Sequence, residues 1–542
     1  MWLSKSLRFS LFPTHTKLPP FLPILTSHFC ASSRSQTCLH DEAISRFNSL
    51  LHMRHVPPIF EFGKILGLLV KMKRYTTAVS LIKQMEFKGI LCNLANLSLL
   101  MNCFFHLDQL AFAFSVFAKT LKRGYHPDVI TLTTLIRGLC DKGEVEKALI
   151  LHDKIVTLGF RLDEFAYATL MNGLCKIGET KAAIKLFRMI EGRSRVTYNI
   201  IIDGLFKDKY TKEAYDLYSE MVVNGISPDV VTYNTLVYGF CLVNQLEEAF
   251  GFINEMLSNS IMPNVYTYNI LIDALCKQGK LREAKNVLGV MVKAYVKPNH
   301  FSFNALMNGY CLVNQVKNAK QLFNAMTQMR VSPNVRSYTI MINGLIKNDR
   351  MDEAINLFQE IQQKNMVPDT VTYTTLIDGF CKYGRITYVW DLIDDMHNRN
   401  QQPNTITYNC LLDALCKSYN LDKAFELYNT MMENGIQPNK YTWNILLDGM
   451  CKGGKLEKAQ EIFKDLLIKG YPLDVCSYNT MINGLCKKGF LDEALTLWSK
   501  MEDNGCLPNV ITFKIMSRAL FEKDEIDKAE AFLCEMVSRG LL

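Results

Sequence analysis

No stretch of this chain reaches the eighteen or so consecutive apolar residues of a membrane-spanning helix, although 49% of its 542 residues are hydrophobic. The chain is therefore read as soluble, with no membrane partner. Its 17 cysteines contain no C-x-x-C pair, the commonest spacing of zinc and redox sites. Nine of them (Cys140, Cys175, Cys241, Cys276, Cys311, Cys381, Cys416, Cys451 and Cys486) recur at multiples of 35 residues with one four-residue slip. A free thiol that recurs in this way reads as a small apolar packing residue and suits a reducing compartment. No acidic residue precedes Asp41, whereas Lys5, Arg8, Lys17, Arg34 and many Ser and Thr do. That is the composition of an organellar transit peptide. The apolar run Leu18–Leu25 is short and broken by three prolines, which argues against a secretory leader. Residues 1–40 are expected to be a disordered transit peptide, addressed to the mitochondrion or, as the alternative, to a plastid. A net charge of +8 permits a polyanionic partner without requiring one.

What the sequence has in abundance is itself. Val230–Asn264 and Val475–Asn509 align without a gap at Tyr, Asn, Thr, Gly, Cys, Leu, Glu, Ala, Met and a closing Pro-Asn. The same register gives units beginning at Ile59, Leu94, Val129, Glu164, Arg195, Val230, Val265, His300, Val335, Thr370, Thr405, Lys440, Val475 and Val510. Residues 41–58 read as an isolated second helix, a half repeat ahead of the array at 59–542. A fixed period of this length marks stacked supersecondary units. Within Val475–Asn509, Met481, Ile482, Leu485 and Cys486 form one helical stripe, and Leu491, Ala494, Leu495, Trp498 and Met501 form a second. Gly489 lies in the turn between them, and Gly505 with Pro508 ends the second helix. The tenth place is Gly or Ala in unit after unit (Gly204, Gly239, Ala274, Gly309, Gly344), and the twentieth is nearly always Ala. Glycine weakens a helix by about 1 kcal/mol, so its recurrence implies close approach of a neighbouring helix. A single hairpin cannot cover its own apolar faces, and stacking supplies the cover. The expected fold is all-α, a right-handed α-solenoid superhelix of about 14 helix-turn-helix repeats of 35 residues.

The segment Val231-Thr232-Tyr233-Asn234-Thr235-Leu236, the Asp378–Lys382 pattern and the terminal Pro-Asp or Pro-Asn resemble the pentatricopeptide repeat (PPR) family, from about Asp41 onward. Units of constant length are similar to its P-type branch, and Asp41–Phe62 is similar to its plant restorer-of-fertility-like members. The resemblance implies single-stranded RNA binding with one base per repeat, read by the fifth and last places. Carried onto this chain, the reading pairs are Ser98 with Asp128, Thr133 with Asp163, Asn199 with Asp229, Asn234 with Asn264, Asn269 with Asn299, and Asn304 with Asn334. They continue with Thr339 and Asp369, Thr374 and Asn404, Asn409 and Asn439, Asn444 and Asp474, and Asn479 and Asn509. The family's rule assigns G to Thr-Asp, A to Thr-Asn, U to Asn-Asp and a pyrimidine to Asn-Asn. The implied target is 5′-N-G-G-N-U-Y-Y-Y-G-A-Y-U-Y-N-3′. Val196, Val231, Tyr266, Phe301, Val371, Ile406 and Tyr441, at the second place, would sandwich the bases. Lys176, Lys207, Lys277, Lys347, Lys382, Lys417, Lys452 and Lys487, at the thirteenth, would face phosphates.

Each assignment has a plainer competitor. A closing Asp or Asn can simply cap the next helix; the third-place Thr is a competing cap, so capping does not by itself require the last residue. The lysines can complement a helix dipole. Tyr at the fourth place (Tyr198, Tyr233, Tyr268, Tyr338, Tyr373) reads as interhelix packing. The unit Glu164–Ser194 lacks four residues and carries Ala168 and Ser194, which fit no base. Gly63 and Lys514 hold the fifth place in the end units. A deaminase would need H-x-E together with C-x-x-C, and that pair of motifs does not occur. No cofactor, metal, small-molecule substrate or catalytic residue is expected. The expected partner is organellar single-stranded RNA, with a nuclease or other processing factor acting on the bound transcript; the competing function is an α-helical repeat scaffold for protein–protein interaction.

Overall fold

A computed structural model describes residues 36–541 apart from 54, 56, 158, 161, 191 and 472. Most of the expected transit peptide lies outside the described residues. The described residues form twenty-nine helices and no strand. The first helix, Gln36–Leu51, takes in the last five residues that composition assigned to the leader.

The chain divides into two compact bodies, one ending at Asp208 and the other beginning at Lys209. Each is built from the same hairpin. A first helix such as Val265–Lys277 is followed three residues later by a second, Leu281–Lys293. Within each body successive first helices pack on one another, and second helices pack on their own first helix and, in several repeats, on the next one in sequence. This is the stacking of an α-solenoid. Tyr198, Tyr233, Tyr338 and Tyr373 are fully buried, as packing residues should be. The Tyr338 hydroxyl donates to Glu360 Oε1 at 2.8 Å and accepts from Lys364 Nζ at 2.8 Å, within its own repeat. Asn259, Asn434 and Asn504 donate in the same way to Tyr233, Tyr408 and Tyr478 at 2.7–3.0 Å.

The two helices of a hairpin start differently. Every first helix from Leu94 onward is capped by the side chain of the residue before it. The second helices whose N-caps are described have no side-chain cap; several place two acids in the first turn instead, as Glu247 and Glu248 do, opposite the positive end of the helix dipole. A residue with left-handed backbone closes each turn, glycine at Gly279 (φ 71°) and tyrosine at Tyr419 (φ 58°).

The tenth-place glycine has an identifiable neighbour. A β-carbon on Gly309 would lie 2.8 Å from Cys276 Cβ, and one on Gly484 would lie 2.6 Å from Cys451 Sγ. Gly173 meets Cys140 and Gly449 meets Cys416 in the same way. The recurrent cysteine is thus the knob that the next repeat's glycine admits. Burial pushes the thiols of Cys276 and Cys381 up to about 12 and those of Cys140 and Cys416 to about 11, which removes them as nucleophiles near neutrality.

In the short unit the missing residues come from its second half. Thr180–Met189 has 10 residues where its counterparts have 13. Arg193 then donates from Nε to the Phe187 carbonyl at 3.1 Å, with its guanidinium over the Phe187 ring. The next helix still receives its cap, from Ser194.

Candidate nucleic-acid interface

The last residue of each repeat from Asn93 onward is the N-cap of the next first helix, the plainer of the two readings of that place, and the third-place Thr does not replace it. Asn264 Oδ1 accepts from the backbone N–H of Tyr266 at 2.9 Å and of Thr267 at 3.1 Å. Asp128, Asp163, Asp369 and Asp474 accept from the third-place N–H at 2.8–3.0 Å. Because the helix end presents only donors, the cap must offer an oxygen. An Asn therefore keeps its Nδ2 amide for other partners, whereas an Asp keeps a carboxylate oxygen. Burial opposes ionisation of Asp474, but the Ser477 backbone N–H, the Asn444 amide and the Ser477 hydroxyl outweigh it and hold the carboxyl below its usual range.

The fifth-place residue lies beside this cap. Asn269, Asn409 and Asn444 donate from Nδ2 to Oδ1 of Asn299, Asn439 and Asp474 at 3.3 Å, and Asn479 reaches Asn509 at 3.5 Å. In the other pairs wholly inside one body, the two side chains share the hydroxyl of the next repeat's third residue. Ser337 Oγ lies 2.7 Å from Asn304 Oδ1 and 2.9 Å from Asn334 Oδ1. Thr267 joins Asn234 to Asn264, Thr407 joins Thr374 to Asn404, and Thr131 joins Ser98 to Asp128. The exception is Thr133 with Asp163, where the third residue is Ala166. Asn199 belongs to the first body and Asp229 to the second.

In seven repeats the second place holds an exposed apolar side chain. Val196, Val231, Tyr266, Phe301, Val371, Ile406 and Tyr441 are all more than half exposed, although each sits next to a buried third-place residue. A cavity of about 780 Å³ brings the parts together. Tyr266, Phe301 and Arg336 line it with Asn264, Asn269, Asn299 and Asn304. Asn304 Nδ2 is buried without a protein partner, an arrangement that costs about 1–3 kcal/mol unless something meets it.

Of the thirteenth-place lysines, Lys277 lines the same cavity. Five of the eight are held in ion pairs within their own helix. Lys207, Lys277, Lys382, Lys417 and Lys452 pair with the aspartate one turn earlier (Asp203, Asp273, Asp378, Asp413 and Asp448) at 2.5–2.7 Å. Lys176 lies 3.9 Å from Asp141. Lys347 is at the C-cap of its helix, and Lys487 is in the last turn of its own. Its hydrogen bond to the Asp273 carboxylate raises the Lys277 ammonium above its usual range, and Asp413 does the same for Lys417. The ninth-place Asp is the partner that sequence reasoning passed over, though an i, i+4 acid–base spacing marks it. Among the described residues no cluster of His, Cys, Asp and Glu could hold a metal ion, and no helix is long and apolar enough to cross a membrane.

Comparison with known proteins finds pentatricopeptide repeats along part of the array. The PPR repeat family profile matches residues 127–176 and then overlapping pairs of units across 193–347. The single PPR repeat profile matches 165–194 and 511–541. The segments matched by these two profiles are pentatricopeptide repeats. A profile described as the MSC6 N-terminal domain matches 338–500. Among curated proteins, a mitochondrial pentatricopeptide repeat-containing protein of Arabidopsis thaliana is 40% identical over 87 residues, 16% of this chain and 14% of the relative. A second from the same plant, also mitochondrial, is 36% identical over 85 residues, again 16% and 14%. The chain covers less than a fifth of the length of the curated relatives it matches first. Among solved structures, the maize pentatricopeptide repeat protein PPR10 aligns over 93% of this chain and 88% of its own, at 18% identity and a TM-score of 0.40. The pentatricopeptide register places Thr267, Ser302, Ser337, Thr372, Thr407, Thr442 and Ser477 at one position of the motif, and all seven are buried. Their recurrence was visible in the sequence; their link to the fifth place, 33 residues away, was not.

Proposed function

We propose that this chain is a non-catalytic, sequence-specific single-stranded RNA-binding protein that acts on mitochondrial transcripts in their processing, stability or translation. Each repeat takes one base, and the array is of the P-type, restorer-of-fertility-like kind. The observation that carries this reading is the serial pairing of fifth- and last-place side chains beside an exposed second-place apolar residue. An unstacked base needs an apolar or aromatic face for its ring and hydrogen-bonding groups for its edge. Tyr266 and Phe301 supply the face, and Asn269 with Asn299 the edge. The cap gives the last place a chemical meaning. With Oδ1 held on a helix end, a last-place Asn offers donors and a last-place Asp offers an acceptor. Donors suit the bare ring nitrogen of A or C; an acceptor suits the ring N–H of G or U. That division follows the assignment of G and U to pairs ending in Asp. By covering a run of nucleotides the protein would block nucleases or ribosomes, or present the transcript to a processing enzyme.

A gel shift with 5′-N-G-G-N-U-Y-Y-Y-G-A-Y-U-Y-N-3′ and a base-scrambled control tests the reading. Tight binding to the first and weak binding to the second is expected. Equal binding would leave only a charged surface, and no binding to either would turn attention to a protein-binding scaffold. Thr374→Asn should then move the preference at the tenth nucleotide from A toward a pyrimidine, and an unchanged preference would overturn the base assignment.

A further inference from the structure

The third-place hydroxyl touches more than its cap. A capping box needs the third residue only to reach back to the cap backbone, and Ser302 does so by accepting the Asn299 N–H at 3.3 Å. The same oxygen donates its proton to Asn269 Oδ1 at 2.6 Å, while Asn299 Oδ1 lies farther off at 3.3 Å. The proton goes to the nearer acceptor, which turns the Asn269 amide oxygen inward and its Nδ2 toward Asn299. Thr372 serves a different pair in the same way. It donates to Asp369 Oδ1 at 2.7 Å and shares a 2.7 Å hydrogen bond with Thr339. Both hydroxyls are fully buried, so water does not compete for them.

The chain contains its own control. Thr133 with Asp163 is the same Thr-Asp combination as Thr339 with Asp369, but its third-place residue is Ala166. The cap survives, with the Ala166 N–H donating to Asp163 Oδ1 at 2.9 Å. Thr133 Oγ1, however, is buried with no partner. At the start of the array the third-place residue is the larger Asn96, and the fifth place facing it is Gly63, where a β-carbon would lie 3.0 Å from Asn96 Oδ1. The two places share one space, so what stands at the third governs how the fifth can stand.

We infer that the buried third-place hydroxyls are positioning residues for base discrimination, each locking the fifth- and last-place side chains of the preceding repeat into one hydrogen-bonded arrangement. The inference rests on the RNA reading proposed above. It makes selectivity for G sharper at Thr339 with Asp369 than at the identical pair Thr133 with Asp163.

The test measures affinities of the full chain by fluorescence anisotropy, using the proposed RNA with G changed to A at the third or the ninth nucleotide. The G-over-A preference at the ninth should exceed that at the third by about threefold to tenfold, the worth of one hydrogen bond. Thr372→Val keeps the side-chain shape and should bring the ninth down to the level of the third; Thr372→Ser should restore it. Ala166→Ser should raise the third toward the ninth, and this arm decides the matter even where Thr372→Val fails to fold, which a melting curve shows. A folded Thr372→Val with an unchanged preference, or an Ala166→Ser without gain, overturns the positioning role and leaves the RNA reading standing. A wild-type chain with no base preference at the ninth nucleotide overturns the RNA reading itself.

Discussion

Gly138 and Gly251 both interrupt helices, but their surroundings call for opposite outcomes on substitution. A β-carbon on Gly138 would overlap the Phe105 ring, whereas one on Gly251 meets nothing within 4 Å. Alanine favours a helix over glycine by about 1 kcal/mol, and overpacking a core costs about 1–3 kcal/mol. Gly251→Ala should therefore raise the melting temperature and Gly138→Ala should lower it, as thermal unfolding followed by circular dichroism would show. Gly484 faces the tip of a cysteine, Cys451 Sγ, rather than a ring, so alanine there should be milder than at Gly138. Ala274 and Ala414 already occupy this place. The need for a small tenth-place residue was legible from recurrence alone. Its partner was not, because every place recurs at 35 and the period says nothing about which two places meet; Cys276 and Gly309 meet across 33 residues.

At the scale of the helix, the first helix of five repeats carries both the lysine expected to meet phosphate and the aspartate that neutralises it. An exposed pair of this kind adds at most about 1 kcal/mol to stability, so its removal costs the fold little. Asp273→Asn and Asp378→Asn should tighten RNA binding severalfold at low ionic strength, by releasing Lys277 and Lys382 from their carboxylates. Titration of the RNA at 50 mM salt checks this, and unchanged affinity would remove these lysines from the interface. Helix limits were legible to within a residue or two, because the last-place Asp or Asn and the closing Gly are strong local signals. What each signal was for proved harder to read. Asn264 reads equally as cap or as reading residue, and the structure gives it the cap while leaving Nδ2 over for the second role.

At the scale of the whole chain, a net charge of +8 spread over 542 residues leaves little excess positive charge, and five of the thirteenth-place lysines are paired with aspartates. Binding should then owe more to stacking and edge contacts than to phosphate neutralisation. The salt dependence has a slope of about −0.7 per phosphate contact on single strands, so eight free lysines would give about −5 to −6. With five of the eight tied to aspartates, an observed slope well short of that is expected from affinities measured between 50 and 300 mM salt. A slope near −6 would show that RNA breaks the ion pairs on binding.

The hydroxyl that joins Asn269 to Asn299 belongs to Ser302, which is not part of their repeat. The reading unit is thus offset from the sequence repeat by three residues. Anyone redesigning the specificity of such an array by grafting should cut after the third place rather than before the first. A donor repeat moved without the opening residues of its successor leaves its side chains against a foreign neighbour, and the grafted letter then depends on the context into which it is pasted.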